Sequence, residues 1–301
     1  MRVVVSGAAG SLAAALLPRL CADRRVESVL GIDRASCIFR HPKFASRVAD
    51  VADDSARAEL RGADAVVHLA FELFRGRRPL RSMERANVVG SRLYLAAAAD
   101  AGVPRIVHLS SAAVYGPGEA LAEDAPLAPL PRFHYARQKA QVERWVASEI
   151  PRAAVLRPTV ILGPHALPLL RRLMAARLYV RLPDPQPRLQ CVHEDDVARA
   201  IVAAIERGAA GAFNLAAPES FSLRELVRWR HPDAPGVPLA LFRGVARLAW
   251  FATGWGGETG WLEGLDDSIT LDCRRAEGRL GWRPRFAAWR EIVAATPRPD
   301  R

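Results

Sequence analysis

The order of apolar segments constrains the fold of this chain more than any other feature. Over the first half, short runs rich in valine and isoleucine alternate with longer segments rich in alanine and leucine. The short runs are typical of buried strands and the longer segments of helices. Predicted strands cover 2–6, 28–33, 65–69, 105–110 and 153–157, and predicted helices cover 12–21, 81–101 and 135–149. This alternation predicts an α/β fold, in which right-handed βαβ units form a doubly wound parallel sheet covered by helices on both faces.

The pattern changes at about residue 160. Later residues are irregular and rich in proline, although a helix is predicted at 195–206 and a strand at 212–215. We therefore predict that residues 1–160 form the main sheet domain, to which elements near 189–216 return. Residues 161–301 should form mainly a smaller, partly discontinuous substrate lobe. With 301 residues that are 50% hydrophobic, the chain can bury a large core.

The charge of the chain is strongly positive, with 43 basic and 32 acidic residues. Only Lys43 and Lys139 are lysines, so the other 41 basic residues are arginines. These arginines are scattered among acidic residues and alanines, apart from a short basic loop at 75–81. Scattered charge is typical of a solvated surface, so we predict a small-molecule substrate and no nucleic-acid partner.

Cysteine usage and hydropathy indicate a reduced, cytoplasmic protein. The four cysteines are far apart, and no histidine or cysteine cluster has the spacing of metal ligands, so no metal site is predicted. The N-terminus runs directly into a strand without a signal-peptide pattern. The apolar segment 239–255 contains two arginines and is too short to span a bilayer, so no integral membrane segment is expected. We predict that it forms a buried or lid-forming helix.

A glycine turn joins the first strand to the first helix. The sequence after the strand is SGAAGSLA over 6–13, with Gly7 and Gly10 in the turn and Ser11 and Leu12 at the start of the helix. Glycine lets the backbone approach a pyrophosphate, and the free N–H groups of a helix N-terminus favour an anion. The turn therefore predicts a dinucleotide site.

Asp33 ends the second strand, twenty-six residues after Gly7. A carboxylate at this place can accept hydrogen bonds from the adenosine ribose and repels a ribose phosphate, so NAD is favoured over NADP. The neighbouring Arg34 leaves the alternative open, because an arginine can pair with that phosphate.

Tyr135 and Lys139 are four residues apart and therefore lie on one face of a helix. A phenol has a pKa of roughly 10, so it becomes a useful base only when a nearby cation favours the phenolate. Ser111 follows a strand and should emerge at the carboxyl edge of the sheet. These three side chains are the predicted catalytic groups. Since lysine and arginine are both good helix formers, the sequence also predicts that Lys139→Arg folds normally.

The chain resembles the NAD-dependent epimerase/dehydratase family, the extended branch of the short-chain dehydrogenases, over nearly its whole length. The motifs that carry the resemblance are SGAAGSLA, GIDR at 31–34, ADV at 49–51, VVHLA at 66–70, SSAAVYG at 110–116, YARQK at 135–139, LRPTVILGP at 156–164, VHEDDVARAI at 192–201 and LGWRPRF at 280–286. The resemblance implies an NAD-binding Rossmann domain over 1–160. It also implies that two copies could pair through the helices at 81–101 and 135–149.

The same resemblance implies a cofactor site. Asp50 and Val51 should lie against the adenine, Leu69 and Ala70 should line the diphosphate and ribose, and Asn87 should brace the active-site strand. Lys139 should also hold the nicotinamide ribose. The complete set of expected cofactor residues is Gly7, Gly10, Ser11, Leu12, Asp33, Arg34, Asp50, Val51, Leu69, Ala70, Asn87, Tyr135, Lys139 and Pro158.

Departures from the family narrow the expected chemistry. Dehydratases of the family carry an Asp-Glu pair after the catalytic serine, where this chain has two alanines at 112–113, so elimination of water is not expected. Nucleotide-sugar enzymes of the family have polar residues where Val160 and Leu189 stand, so a nucleotide-sugar substrate is also not favoured. Arg188 or the 75–81 loop could replace the missing charge.

Three functions follow from these features. The first is hydride transfer between NAD and a secondary alcohol or ketone on a small or partly apolar substrate. The second is a sugar or nucleotide-sugar epimerase with tightly bound NAD. The third is a non-catalytic NAD sensor or scaffold, against which the presence of Ser111, Tyr135 and Lys139 counts.

Overall fold

The strands of the first half form a seven-stranded parallel sheet. The computed structural model describes residues 1–74, 76, 78–253 and 259–298. The strands are β1 Arg2–Ser6, β2 Ser28–Asp33, β3 Phe44–Val48, β4 Ala65–His68, β5 Arg105–Leu109, β6 Gly118–Leu121, β7 Ala154–Pro158, β8 Val160–Leu162, β9 Tyr179–Arg181, β10 Cys191–His193, β11 Gly211–Leu215, β12 Gly236–Pro238 and β13 Ile269–Leu271. The order in the large sheet is β11-β7-β5-β4-β1-β2-β3, and every pairing is parallel.

Helices cover both faces of this sheet. They are α1 Ser11–Ala22, α2 Asp54–Ala58, α3 Leu80–Glu84, α4 Ser91–Asp100, α5 His134–Glu149, α6 Pro168–Met174, α7 Glu194–Arg207, α8 Leu223–Arg230, α9 Leu239–Thr253, α10 Arg274–Leu280 and α11 Trp289–Ala295. A π-helical segment, Arg85–Gly90, joins α3 to α4, and 3-10 segments cover Ala112–Val114 and Thr259–Asp266. The predicted fold class, an α/β Rossmann-type doubly wound sheet, is confirmed.

Alternate residues of β1 explain why both faces are covered. Val3 and Val5 pack in the core beneath α1 and α7, whereas Val4 packs in the core beneath α4 and α5. All three valines are fully buried. A parallel strand buried on both faces reads as a continuous apolar run, which is what the sequence of β1 shows.

Strand order reverses between β1 and β4, because β2 and β3 extend the sheet on one side and β4, β5, β7 and β11 extend it on the other. Ligands of open α/β sheets bind at the carboxyl edge beside such a reversal. The turn after β1 and the residues after β4 therefore border the expected site.

The remaining strands form three short parallel pairs outside the main sheet. These two-stranded sheets are β8–β10, β9–β12 and β6–β13. The division into a nucleotide-binding domain and a substrate lobe stays a prediction.

Helix α9 departs from its prediction. The 239–255 segment is helical over Leu239–Thr253, and residues 254–255 lie outside the described part of the chain. No residue of this helix is buried, so the first predicted alternative, a buried helix, is wrong, and the second, a lid-forming helix, stays a prediction. Among the residues that the structure describes, no helix is both long and apolar enough to cross a membrane.

Candidate active site

Gly7 lies where the turn after β1 meets the loop after β4. Its φ is +77°, and a Cβ at this position would lie 2.6 Å from the backbone nitrogen of Ala70. Any other residue would therefore be strained and would collide with the neighbouring backbone. Gly7 and Gly10 line a cavity of about 480 Å³, as do Ser11 and Leu12 at the start of α1. The turn leaves its backbone open to the cavity, as the sequence predicts.

Asp33 holds two backbone groups at the end of β2. Its Oδ2 accepts a hydrogen bond from the N–H of Ala9 at 3.0 Å, and its Oδ1 accepts one from the N–H of Ala35 at 3.0 Å. The carboxylate thus connects the second strand to the glycine turn. Each oxygen keeps a second lone pair for a ligand hydroxyl.

Arg34 is engaged by acidic residues. Its guanidinium donates to Glu72 at 2.6 Å and lies 3.9 Å from Asp50. Glu72 also accepts hydrogen bonds from Arg78 at 2.8 and 2.9 Å. Burial alone would raise the pKa of Glu72, but hydrogen bonds from Arg78 and Arg34 together outweigh it and lower the pKa. The positive charge of Arg34 is therefore compensated within the protein.

The other expected cofactor residues have different surroundings. Leu69 and Pro158 line the cavity, and the backbone of Ala70 closes around Gly7. Val51 is buried in the core between the sheet and α4. The Asp50 carboxylate closes a turn, because it accepts a hydrogen bond from the N–H of Ala52 at 2.9 Å.

Asn87 lies in the π-helical segment and is buried. Its amide accepts from the N–H of Glu72 at 2.6 Å and donates to the carbonyl of Glu72 at 2.9 Å and to Gln138 at 2.8 Å. Because Gln138 precedes Lys139 on α5, Asn87 links the loop after β4 to the helix of the predicted catalytic groups. The wider π turn interrupts the helix predicted over 81–101 at this residue, and such turns are frequent at functional sites.

The structure brings Ser111, Tyr135 and Lys139 together. Ser111 follows β5 and lines the same cavity as Tyr135, and its Oγ accepts a hydrogen bond from the N–H of Ala113 at 3.2 Å. Tyr135 and Lys139 lie one turn apart on α5. The Lys139 ammonium donates to the carbonyl of Leu109 and lies 3.7 Å from the centre of the Phe71 ring and 6.0 Å from the centre of the Tyr135 ring.

Burial changes the acidity of both ionisable groups. Tyr135 is half-buried, and desolvation of its hydroxyl raises its pKa to about 12, although the nearby Ser111 hydroxyl opposes the shift. Lys139 is 2% exposed, and burial lowers its pKa to about 7, against the opposing charge of Glu143. An added positive charge beside Tyr135 would favour the phenolate.

We expect Lys139→Met to change the pH dependence of stability. The pKa of Lys139 is about 7 in the folded chain against an ordinary value of 10.5. Between these values the unfolded chain binds a proton that the folded chain does not, so this group makes the parent more stable as pH rises and less stable as pH falls toward 7. The parent-minus-variant difference in the free energy of unfolding should rise between about pH 7 and pH 9, by at most about 1.4 kcal/mol per pH unit. Urea titrations at both values measure it, and a difference that does not change with pH would contradict the assignment.

Glu143 and Arg157 form a buried ion pair that the sequence analysis did not identify. Arg157 donates to Glu143 and to the Tyr115 hydroxyl, and the second oxygen of Glu143 accepts from Ser110 at 2.6 Å. Glu143 lies one turn beyond Lys139 on α5. Its spacing from Tyr135 and Lys139 could have predicted that Glu143 lies on the same face of the helix. Its pairing with Arg157 depends on tertiary structure and could not be predicted from spacing.

Most of the remaining cavity lining is apolar, although Thr159, Gln190, Glu194, Asp267 and Ser268 also line it. The aliphatic and aromatic side chains of this lining are Leu73, Leu130, Phe133, Ile161, Leu167, Leu170, Leu223, Leu265 and Ile269. Val160 and Leu189 also line the cavity. A ligand held here would present a largely apolar surface.

Arg188 does not supply charge to this cavity. Its guanidinium donates to Glu225 at 2.8 Å and to the hydroxyl and carbonyl of Ser220. The suggestion that Arg188 replaces a missing substrate contact is therefore wrong, because these partners hold it elsewhere. In the 75–81 loop, Arg75 and Arg77 lie outside the described residues, and Arg78 pairs with Glu72. Over the residues described, no group of histidine, cysteine and acidic side chains could hold a metal ion.

Comparison with known proteins assigns the chain to a family. The model of the NAD dependent epimerase/dehydratase family matches residues 3–216. The 3-diazoavenalumate denitrifying reductase of a Streptomyces species is 32% identical over 316 aligned positions, which cover 97% of this chain and 98% of that protein. The dTDP-glucose 4,6-dehydratase of Streptomyces griseus is 30% identical over 270 positions, covering 84% of this chain and 76% of that protein.

A solved structure agrees with the fold. DesIV, a dTDP-glucose 4,6-dehydratase from Streptomyces venezuelae solved with NAD and TYD bound, superposes with a TM-score of 0.77. It is 24% identical, and the match covers 98% of this chain and 95% of DesIV. With its parallel sheet, its glycine turn and a family match over most of its length, the chain belongs to the NAD dependent epimerase/dehydratase family of extended short-chain dehydrogenases, and its cofactor is NAD.

Proposed function

We propose that the protein transfers a hydride between NAD and a secondary alcohol or ketone on a small, largely apolar substrate. The observation that carries the proposal is that Ser111 and Tyr135 line one cavity whose remaining wall is mostly apolar. An uncharged substrate suits such a wall, because burying an unpaired charge there would be costly.

The residues present fit the cofactor. The missing side chain of Gly7 leaves room that a Cβ would fill, and the N-terminus of α1 follows directly, which favours a diphosphate. Asp33 would accept a hydrogen bond from a ribose hydroxyl of the cofactor. Leu69 and Pro158 line the cavity between the glycine turn and Tyr135. Bound NAD supplies the hydride acceptor for oxidation, and its reduced form supplies the donor for reduction.

The protein side chains handle the proton. In the oxidation direction, the Tyr135 phenolate accepts the proton of the substrate hydroxyl, and the Ser111 hydroxyl donates a hydrogen bond to the same oxygen. In reduction, Tyr135 returns the proton. The Lys139 ammonium would favour the phenolate and would hold the nicotinamide ribose. Phe71 and Leu109, which surround Lys139, exclude water from its ammonium. Catalysis thus rests on positioning and general acid–base chemistry.

Binding of nucleotide sugars tests the substrate class. A hydrogen bond to a charged group contributes about 1.5 to 3 kcal/mol. Nucleotide-sugar enzymes of the family have two polar residues where this chain has Val160 and Leu189, so this chain should bind a diphosphate much more weakly than they do. We expect calorimetry to find only weak binding of uridine or thymidine diphosphate sugars to the NAD-loaded protein. Leu189→Arg is the informative variant, because it should strengthen this binding by about tenfold or more. Submicromolar binding to the parent would instead favour the nucleotide-sugar epimerase.

Turnover separates the remaining alternatives. A panel of apolar secondary alcohols with NAD should yield free NADH, which absorbs in the near ultraviolet. Protein that retains NAD and never releases NADH would support the epimerase, and absence of turnover on every substrate would support a sensor or scaffold. Pairing of two copies through α4 and α5 remains a proposal, which the sedimentation coefficient of the full chain tests.

The cofactor preference gives a separate prediction. We expect the parent to bind NAD more tightly than NADP, because Asp33 repels a ribose phosphate and Glu72 compensates the charge of Arg34. Asp33→Ala should reduce the difference between the affinities for NAD and NADP, because it removes the carboxylate that repels the ribose phosphate. Calorimetric titration of parent and variant with both cofactors measures the effect, with Asp64→Ala as a control for loss of a carboxylate outside the site. Equal affinity of the parent for both would show that Arg34 dominates.

A further inference from the structure

Helix α9 has two different sides. The side that carries Phe242, Ala246 and Trp250 is half-buried, and the helix contacts the Thr259–Asp266 segment together with β9 and β12. The opposite side carries Leu241, Val245 and Leu248, spaced by four and three residues, which are 57%, 59% and 69% exposed. Phe251, at the edge of this stripe, is 77% exposed.

An exposed apolar stripe of this kind needs a partner. Surface helices normally turn polar residues outward, and a contiguous exposed apolar patch marks an interaction site. The outward side of α9 also holds Gly244, and the charged residue at its edge is Arg247. Arg247 flanks the stripe, is exposed, and has no ion-pair partner among the residues described.

The surroundings of this stripe are basic. Residues 168–183 and 234–253 together contain no carboxylate side chain, and they contain Arg171, Arg172, Arg177, Arg181, Arg243 and Arg247. These segments are neighbours, because β9 pairs with β12 and β12 leads directly into α9. Arg177 and Arg181 are exposed, and Leu178 between them is 43% exposed. Exposed apolar and basic side chains therefore lie on adjacent elements.

We propose that α9 docks this protein onto the surface of a phospholipid bilayer that contains anionic lipids. The helix lies in the plane of the interface, with Leu241, Val245 and Leu248 at the acyl boundary. Arg177, Arg181 and Arg247 contact the phosphate groups, since basic side chains near an anionic membrane add to its attraction. A second copy of this chain is a poorer occupant. In a two-fold interface it would bring the same exposed arginines, whereas the acidic residues next to α9, Glu263 and Asp266, already pair with Arg132 and Arg243.

The docking surface adjoins the cavity. Arg243, on the inner side of α9, donates to the carbonyl of Leu262 at 3.2 Å and to Asp266 at 2.7 Å. The segment that it holds includes Gly264 and Leu265, which line the cavity. Docking through α9 would therefore place the apolar cavity next to the lipid. The proposal itself rests on exposure and charge and does not depend on the catalytic assignment.

Vesicle sedimentation with the full chain tests the proposal. We expect the protein to sediment with vesicles that mix phosphatidylglycerol and phosphatidylcholine more than with phosphatidylcholine alone, and added salt should weaken this binding. The double variant Leu241→Glu/Leu248→Glu should lose at least about tenfold in partitioning, because each leucine removes substantial apolar area from water when it inserts. Ile38→Glu is the matched control. It makes the same kind of change at a side chain that is 92% exposed, on the loop after β2, and it should bind like the parent.

A second variant and a catalytic variant complete the test. Arg177→Gln/Arg247→Gln leaves the apolar stripe intact and should weaken binding to phosphatidylglycerol vesicles without lowering the melting temperature. Tyr135→Phe should sediment like the parent, so a failure of docking and a failure of the catalytic proposal give different results. The proposal is overturned if the parent does not bind anionic vesicles or if the leucine variant, folded by circular dichroism, binds equally. It is also overturned if the only effect of the leucine variant is to convert a dimer to a monomer, which would assign the stripe to a second copy.

Discussion

We expect Tyr135→Phe to lose turnover by at least about a hundredfold while binding NAD like the parent. The substitution removes only the hydroxyl that exchanges the proton. The ring would keep its neighbours, since its centre lies 5.6 Å from the Phe71 ring and 5.8 Å from the Phe133 ring. Turnover is measured as NADH formation on an active alcohol, and NAD affinity is measured by calorimetry.

Tyr94→Phe is the matched control for this prediction. Tyr94 is fully buried, and its hydroxyl has no hydrogen-bond partner among the residues described. Removal of that hydroxyl should leave turnover and NAD binding unchanged. If Tyr135→Phe turns over as fast as Tyr94→Phe, another group exchanges the proton and the assignment of Tyr135 is wrong.

The buried strands were the most predictable part of the fold. The bounds predicted for β1 and β2 agree with the structure, because both are apolar runs inside a parallel sheet. Strand β3 was not predicted, since four of its five residues are exposed at the sheet edge and its sequence, FASRV, has no apolar run. Helix α2 was also not predicted, because five residues give too little periodicity to recognise. Local sequence therefore predicts strands that are buried along their whole length better than exposed edge strands or very short helices.

The catalytic groups were predictable for a different reason. Tyr135 and Lys139 share a helix, so their proximity follows from spacing alone, and Ser111 follows a strand whose carboxyl end faces the same edge. The protonation state of these groups was not predictable. Burial lowers the pKa of Lys139 only because β5, α5 and the loop after β4 enclose it, which no local pattern reveals. The outward stripe of α9 was missed similarly, since its apolar sequence resembles that of a buried helix.

Enclosure of Lys139 changes the expectation for Lys139→Arg. Sequence alone predicts normal folding for this variant, because arginine is a good helix former. In the structure the side chain is 2% exposed and packed against Phe71, so the larger guanidinium must displace its neighbours. Overpacking of this kind typically costs about 1 to 3 kcal/mol. Lysine can also release its proton at a pKa of about 7, whereas arginine remains charged and must be buried as a cation.

We therefore expect Lys139→Arg to lower the melting temperature without cofactor, to weaken NAD binding, and to reduce turnover by at least about a hundredfold. The other lysine of the chain provides the control. Lys43 donates to the carbonyls of Asp23 at 2.9 Å and Val26 at 2.7 Å, and it is only partly buried. Lys43→Arg should have little effect on any of the three measurements, because a guanidinium can donate to the same carbonyls from the surface. If calorimetry and turnover cannot distinguish Lys139→Arg from Lys43→Arg, the ammonium of Lys139 has no part in binding the cofactor or in favouring the phenolate.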